Sequence, residues 1–297
     1  MKTNRRSFLQ SGVALAAGAA LVPATARAAT PAMVAGPKLK LSLAAYSLRK
    51  FLDLKAPTMT LEEFIAKCAE WGCEGVELTE YYFKKPITPE YVMKIKHAAI
   101  KAGLPITGTP VGNTFTLPPG EARDKQIALV NNWIDVSAEL GSPAIRIFAG
   151  NAPKGVEESQ ARAWAIECIN ICLEHAAKRG VYLAIENHGG IVATADGILE
   201  IVKAVKNDWF GVNLDTGNFH SADAYGELER CAPYAVTCQV KAEMSLAGKK
   251  EDADYPRIVA MMRKANYHGY LTLEYESAED PMTAVPKHLE AIRKAMA

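Results

Sequence analysis

Two hydrophobic periods alternate along this chain from about residue 40 onward. Short apolar runs rich in β-branched residues occupy 40–48, 75–79, 105–111, 144–149, 182–187, 210–215, 237–242 and 270–275, and read as strands. Between them lie stretches with apolar residues three and four apart. In 61–71, Leu61, Phe64, Ile65 and Cys68 share one face, as an amphipathic helix requires. Further helices are predicted over 90–102 behind Pro89, and over 123–140, 159–179, 195–205, 222–231, 255–265 and 281–296. Gly72, Gly103, Gly141 and Gly180 stand where helix C-caps belong. Eight strands alternating with eight helices in about 260 residues predict an α/β fold, a single-domain (β/α)8 barrel over 29–297. A doubly wound open sheet would normally carry a Gly-rich phosphate loop after its first strand. Here that strand runs into Tyr46-Ser47-Leu48-Arg49. The polar stretch 245–255 reads as a mobile loop over the barrel mouth.

The amino terminus has a different pattern. Arg5 and Arg6 precede an apolar run at 12–22, and Ala26-Arg27-Ala28 has the small-residue form of a cleavage site. Residues 1–28 therefore read as a twin-arginine signal peptide, which implies the export machinery as a partner and a periplasmic or otherwise exported product. Removing it takes Lys2, Arg5, Arg6 and Arg27, leaving 30 basic against 33 acidic residues, a net charge of about −3. Such a balance gives no basic surface for nucleic acid. The six cysteines (68, 73, 168, 172, 231 and 238) all fall in apolar helix or strand patterns, and read as buried free thiols rather than a disulfide framework.

Four of the strands carry an oxygen-bearing side chain near their C-terminal ends: Glu186, Asp215, Gln239 and Glu274. Equivalent ends of parallel strands meet at one rim, where barrel enzymes place their chemistry. Three carboxylates and an amide crowded there repel one another unless a cation neutralises them. An all-oxygen set of this kind suits one hard divalent metal, Mn2+ or Mg2+ first, with Co2+ or Zn2+ as further candidates. Strand side chains alternate, so residues two apart share a face. If Glu186 faces the axis, so does His188; if Gln239 does, so do Lys241 and Glu243. His188 and Lys241 are thus candidate substrate contacts. Glu77 and Arg146, on the second and fourth strands, are further candidates, and their alternative role is an ion pair with each other inside the barrel.

The strings ENHGG, GVNLDTGNF, CQVKAE and LTLEYE, each on its own strand, together with GVEL and AIRIFAG in the first half, resemble the xylose-isomerase-like TIM barrel superfamily, which includes sugar isomerases and epimerases. The resemblance covers nearly all of the chain after residue 28. It implies Glu186, Asp215 and Glu274 as metal ligands, with Gln239 at the place of a common histidine ligand. It also implies Glu186 and Glu274 as the groups that move the proton. Asn218 likewise stands where a histidine is common in the epimerases, as a substrate contact. The implied activity is a metal-dependent isomerase or epimerase of a free sugar or sugar derivative: the cation acidifies a C–H beside a carbonyl, and a carboxylate removes the proton. Three alternatives remain open at this stage: a lyase or hydrolase of oxidised (3-keto) glycosides with the same metal site, a metal-dependent phosphodiesterase or endonuclease, and a non-catalytic sugar-binding barrel. A small carbohydrate is the expected partner, and a homo-oligomer is compatible with the sequence.

Overall fold

In the computed structural model the described residues are 37–297; the residues read as a signal segment with a cleavage site lie outside them. The chain order of strands and helices is β1 (Leu39–Ala44), α1 (Arg49–Leu52), α2 (Leu61–Glu70), β2 (Gly75–Glu77), α3 (Pro89–Lys101), β3 (Ile106–Gly108), α4 (Glu121–Leu140), β4 (Ala144–Ile147), α5 (Glu158–Arg179), β5 (Tyr182–Glu186), α6 (Ala195–Ala204), β6 (Phe210–Asp215), α7 (Ala224–Cys231), β7 (Ala235–Val240), β8 (Glu243–Leu246), β9 (Lys249–Asp252), α8 (Tyr255–Lys264), β10 (Gly269–Leu273) and α9 (Pro281–Met296). Eight of the strands form one parallel sheet in the order β3-β2-β1-β10-β7-β6-β5-β4. Its two ends meet through backbone bonds just past β3, where Thr109 N donates to Ala144 O and Val111 N to Arg146 O. The result is the predicted (β/α)8 barrel.

Local chemistry sets the helix boundaries. Thr60 caps α2 in a reciprocal box with Glu63, Thr88 caps α3 ahead of Pro89, and left-handed Gly141 and Gly180 end α4 and α5. The apolar core lies between the outward faces of the strands and the helices, and all six cysteines are buried there as free thiols. Among the described residues, no helix is long and apolar enough to cross a membrane. The first strand is shorter than its apolar run, because residues 45–48 turn into a 3-10 helix. That turn places the Ser47 hydroxyl between Leu273 O, to which it donates, and Tyr275 N, from which it accepts, so it braces the end of β10.

The segment expected as a mobile loop is instead ordered as an antiparallel hairpin, β8 on β9, with Glu243 opposite Asp252 and Leu246 opposite Lys249. Its two-residue turn, Ala247-Gly248, has φ of 50° and 78°, the twin positive values that match the twist of a tight hairpin. Met244, 2% exposed, anchors it. The polar sequence hid the hairpin because all of β9 faces solvent.

On the outer side of the barrel, His288 of α9 is half-buried, with Nδ1 2.7 Å from the Tyr255 hydroxyl and its ring against Tyr275. Burial lowers its pKa below the usual histidine value. The folded state thus favours the neutral ring, and protonation costs stability as pH falls below about 6.5. The loss of unfolding free energy between about pH 7 and pH 5 is expected to be shallower in His288→Gln, measured by denaturant titration. An unchanged slope would refute this role.

Candidate active site

The inward side chains at the C-terminal end of the barrel are unusually polar for a barrel interior, which branched aliphatics normally fill. Glu274, Gln239, Asp215 and Glu186 come from β10, β7, β6 and β5, four consecutive strands of the barrel. They form an arc around half the rim. Asp215 and Gln239 are register partners, so their side chains sit at one level. All four residues are buried, with exposures of 6%, 0%, 0% and 3% in that strand order. The four residues named from the sequence are therefore brought together.

Their partners are specific. Glu186 forms an ion pair with Arg146, Nε to Oε2 at 2.8 Å, and its Oε1 accepts from Asn218 Nδ2 at 2.8 Å. The Arg146 guanidinium lies flat over Phe148, which in turn packs against His188. Asp215 Oδ1 accepts from Gly217 N, while Oδ2 has no hydrogen-bond partner and lies 3.1 Å from the Lys241 ammonium. Lys241 also contacts Glu274 Oε2 and stands 3.1 Å from Glu276 Oε2. Gln239 is held from beneath: Thr237 donates to Asn213, Asn213 donates to Gln239 Oε1, and Gln239 Nε2 donates to Glu77 at 2.7 Å and toward Glu274 at 3.5 Å. The amide oxygen thus points down to Asn213, and the NH2 faces the carboxylates.

Two expected pairings are corrected by this network. Arg146 and Glu77 do not form an ion pair with each other: Arg146 takes the carboxylate of Glu186, and Glu77 takes the amide of Gln239. Glu243 does not continue the inward face after Lys241, because the chain leaves the barrel into β8, and Glu243 pairs with Lys250 across the hairpin. His188 reaches the rim as an exposed residue stacked on Phe148.

Several residues that hold this site escaped the sequence reading. Asn187 is fully buried, and its amide clasps the Asp215 backbone, donating to the carbonyl and accepting from the N–H. Thr216 accepts from Lys241 N, and Asn213 orients Gln239. The available signal was a polar residue inside an otherwise apolar strand run, as in GVNLD, since a buried amide needs partners.

Five carboxylates, Glu77, Glu186, Asp215, Glu274 and Glu276, share two cations, Arg146 and Lys241. Burial raises the pKa of three of them. Burial lifts Glu77 to about 8, with repulsion from Glu274 adding to it. Burial lifts Glu186 to about 7 against the pull of Arg146, and Asp215 to about 7 against the pull of Lys241. Burial acts to lower Lys241, but the surrounding carboxylates outweigh it and hold the ammonium well above its ordinary pKa.

The donor set suits a hard divalent cation: carboxylate oxygens in excess, and a buried Asp215 oxygen without a hydrogen bond. Among the described residues, however, no three His, Cys, Asp or Glu side chains converge as a finished metal cage. Glu186 is turned to Arg146, while Asp215 and Glu274 are turned to Lys241.

A cavity of about 170 Å3 opens beside this arc, lined by Asn218, His220, Lys241, Ser245, Glu276 and Ser277 among others. A larger one, about 470 Å3, opens at the opposite end of the barrel and reaches Glu77 from below. Its lining mixes small apolar residues with Thr107, Thr237, Tyr270 and Thr272, with Glu77 as the single carboxylate. The opposed charges lie at the other mouth.

Comparison with known proteins agrees with this architecture. The structure of 3-keto-D-glucoside 4-epimerase from E. coli is similar at a TM-score of 0.69 and 17% identity, covering 87% of this chain and 99% of that one. A D-psicose 3-epimerase solved in the presence of D-fructose gives 0.69 and 17%, covering 86% and 96%. A xylose isomerase-like TIM barrel protein from Mycobacterium smegmatis in complex with magnesium gives 0.67 and 15%, covering 87% and 98%. At these identities the likeness establishes the fold. No curated protein matches the sequence. The family model described as xylose isomerase-like TIM barrel matches residues 65–295, and the chain belongs to that family.

Proposed function

We propose that this protein is a divalent-metal-dependent sugar isomerase or epimerase that removes a proton from a carbon next to a carbonyl. The observation that carries this reading is the arc itself: two buried glutamates, Glu186 and Glu274, stand at the two ends of four consecutive strands, with Asp215 and Gln239 between them. Fold relatives with sugar epimerase activity support it.

Asp215, Glu274 and Glu186 would hold the cation, with Gln239 joining if its amide turned over. A cation held there supplies Lewis acidity to the substrate carbonyl. The protein's own groups do the rest. Arg146 and Asn218 fix the Glu186 carboxylate, and its pKa of about 7 suits a group that takes and returns a proton near neutral pH. Glu274 offers a second carboxylate three strands away, which can serve the opposite face of the same carbon. Gln239 cannot shuttle a proton, so Lys241, against Glu274, is the acid within reach. Phe148 and His188, their rings tilted at 49° to each other, offer an aromatic surface at the rim for the apolar face of a sugar ring. The surplus of carboxylates disfavours a polyanionic substrate such as a phosphodiester chain.

A second reading is favoured by the ammonium next to Glu274. The same proton abstraction from a 3-keto glycoside, followed by protonation of the leaving oxygen by Lys241, gives β-elimination. Export through the twin-arginine route would place either reaction outside the cytoplasm.

The deciding measurement uses the Mn2+-loaded protein in D2O with a panel of mono- and disaccharides, including 3-keto forms, read by NMR and mass. One solvent deuterium at the carbon beside the carbonyl is expected, lost on chelation and restored by Mn2+. An epimer identifies the first reading and a cleaved glycoside the second. A panel that shows neither deuterium uptake nor glycoside cleavage would sink both.

A further inference from the structure

Two of the carboxylates that a divalent cation would take, Asp215 and Glu274, are already engaged by one side chain. The Lys241 ammonium lies 3.1 Å from Asp215 Oδ2, against Glu274 Oε2, and 3.1 Å from Glu276 Oε2. An ammonium and a divalent ion cannot share oxygens at that range, because their mutual repulsion in a site closed to solvent outweighs a hydrogen bond. Asp215 Oδ2 touches Lys241 only as an ion pair, with no aligned hydrogen bond, so the ammonium leaves that oxygen poorly served.

The surroundings define where the ammonium can go. Lysine carries its charge on a flexible four-carbon stem, unlike the rigid fork of arginine. On one side the stem is fenced by the β6–α7 loop: a Cβ on Gly217 would stand 2.6 Å from Lys241 Cγ. On the other side Glu276 is the one partner with substantial solvent exposure, its side chain 43% accessible, against 0% for Asp215 and 8% for Glu274. Lys241 and Glu276 both line the 170 Å3 cavity beside the arc. The ammonium can therefore release the two inner carboxylates while keeping the outer one.

We propose that Lys241 is a tethered competitor of the metal. Its ammonium neutralises Asp215 and Glu274, a divalent cation displaces it, and the displaced ammonium swings along Glu276 into the cavity, where it faces substrate oxygens. Metal loading and presentation of a substrate-facing cation are then one event. This inference rests on the metal-binding reading above.

The test is calorimetric titration of MnCl2 into the full chain, with thermal unfolding of each variant with and without the ion. Lys241→Met is expected to bind Mn2+ at least about tenfold more tightly than the unmodified chain, the size of a coupling between neighbouring charged groups. Its metal-free unfolding temperature should fall, and the added ion should recover it. Glu276→Gln, an exposed change that spares the core, is expected to weaken Mn2+ binding in the unmodified chain and to have no effect in the Lys241→Met background. A structural role for Lys241 alone would not produce that cycle. If the unmodified chain binds Mn2+ and Lys241→Met binds no more tightly, the competitor role is overturned while the metal reading stands. If neither binds, the metal reading itself fails. Should Lys241→Met fail to fold, Lys241→Gln and the Glu276→Gln titration decide the matter.

Discussion

Glu274→Gln and Glu186→Gln are each expected to abolish turnover and solvent-deuterium uptake in the Mn2+-loaded protein, lowering the rate by about 10²–10⁴ or more. Both changes are isosteric, so the effect is chemical. In Glu274→Gln the side-chain oxygen can still accept from Gln239, and Lys241 keeps Asp215 and Glu276 as counter-charges, so the fold should hold. What disappears is the basic oxygen and one negative charge beside the cation. In Glu186→Gln the amide can still meet Asn218, but Arg146 loses its anionic partner. A moderate loss of stability should therefore accompany the loss of rate in this variant alone. Rate and unfolding should be measured on the same preparations. Retained deuterium uptake in both variants would mean that proton transfer runs through neither glutamate.

Arg146→Met is expected to have the largest effect on stability. Glu186 is 3% exposed, and Arg146 is the cation paired with it. Removing one partner of a buried pair leaves an uncompensated charge, which costs about 3–5 kcal/mol. For a domain of this size that lowers the melting temperature by roughly 10 °C. The loss of the bond from Arg146 to Val111 O and of the stack on Phe148 adds a smaller part that does not vary with pH. The titration of Glu186 adds a part that does vary. Burial already holds Glu186 at about 7 with Arg146 present, and removing the cation raises it further. A carboxyl whose folded pKa lies above its unfolded value carries its full penalty above the folded pKa and none below the unfolded one. The deficit of the metal-free variant should thus be larger at pH 8 than at pH 5, by about 1.4 kcal/mol. The double variant Arg146→Met/Glu186→Gln should regain most of the stability at pH 8, because no charge is left buried. A deficit of equal size at both pH values, unrelieved in the double variant, would mean that packing rather than charge explains it.

The barrel was legible because its signals are local. Each strand run is a short apolar segment, each helix shows its own stripe, and caps such as Thr60 with Glu63 or Gly141 act within a few residues. The positions of Glu186, Asp215, Gln239 and Glu274 were legible for the same reason: the βα repeat delivers every strand end to one rim, whatever the residues between. The hairpin at 243–252 was not legible. Its turn is Ala-Gly rather than the usual Asn-Gly, and its outer strand has no buried face to leave an alternating pattern.

By itself, the sequence determined which residues sit at the rim and which sign of charge dominates there. Pairing among them was decided only by the closed barrel. Whether Arg146 neutralises Glu77 or Glu186 depends on strand stagger and on separations of a few ångströms between residues dozens of positions apart, and no residue pattern along one strand encodes that. Closure also set the amide of Gln239 donating toward the carboxylates, through an Asn213–Thr237 relay from the layer below. It likewise placed the Lys241 ammonium among three carboxylates. Electrostatic energy follows distance in space, and the chain gains those distances only when its first and last strands, β1 and β10, pair.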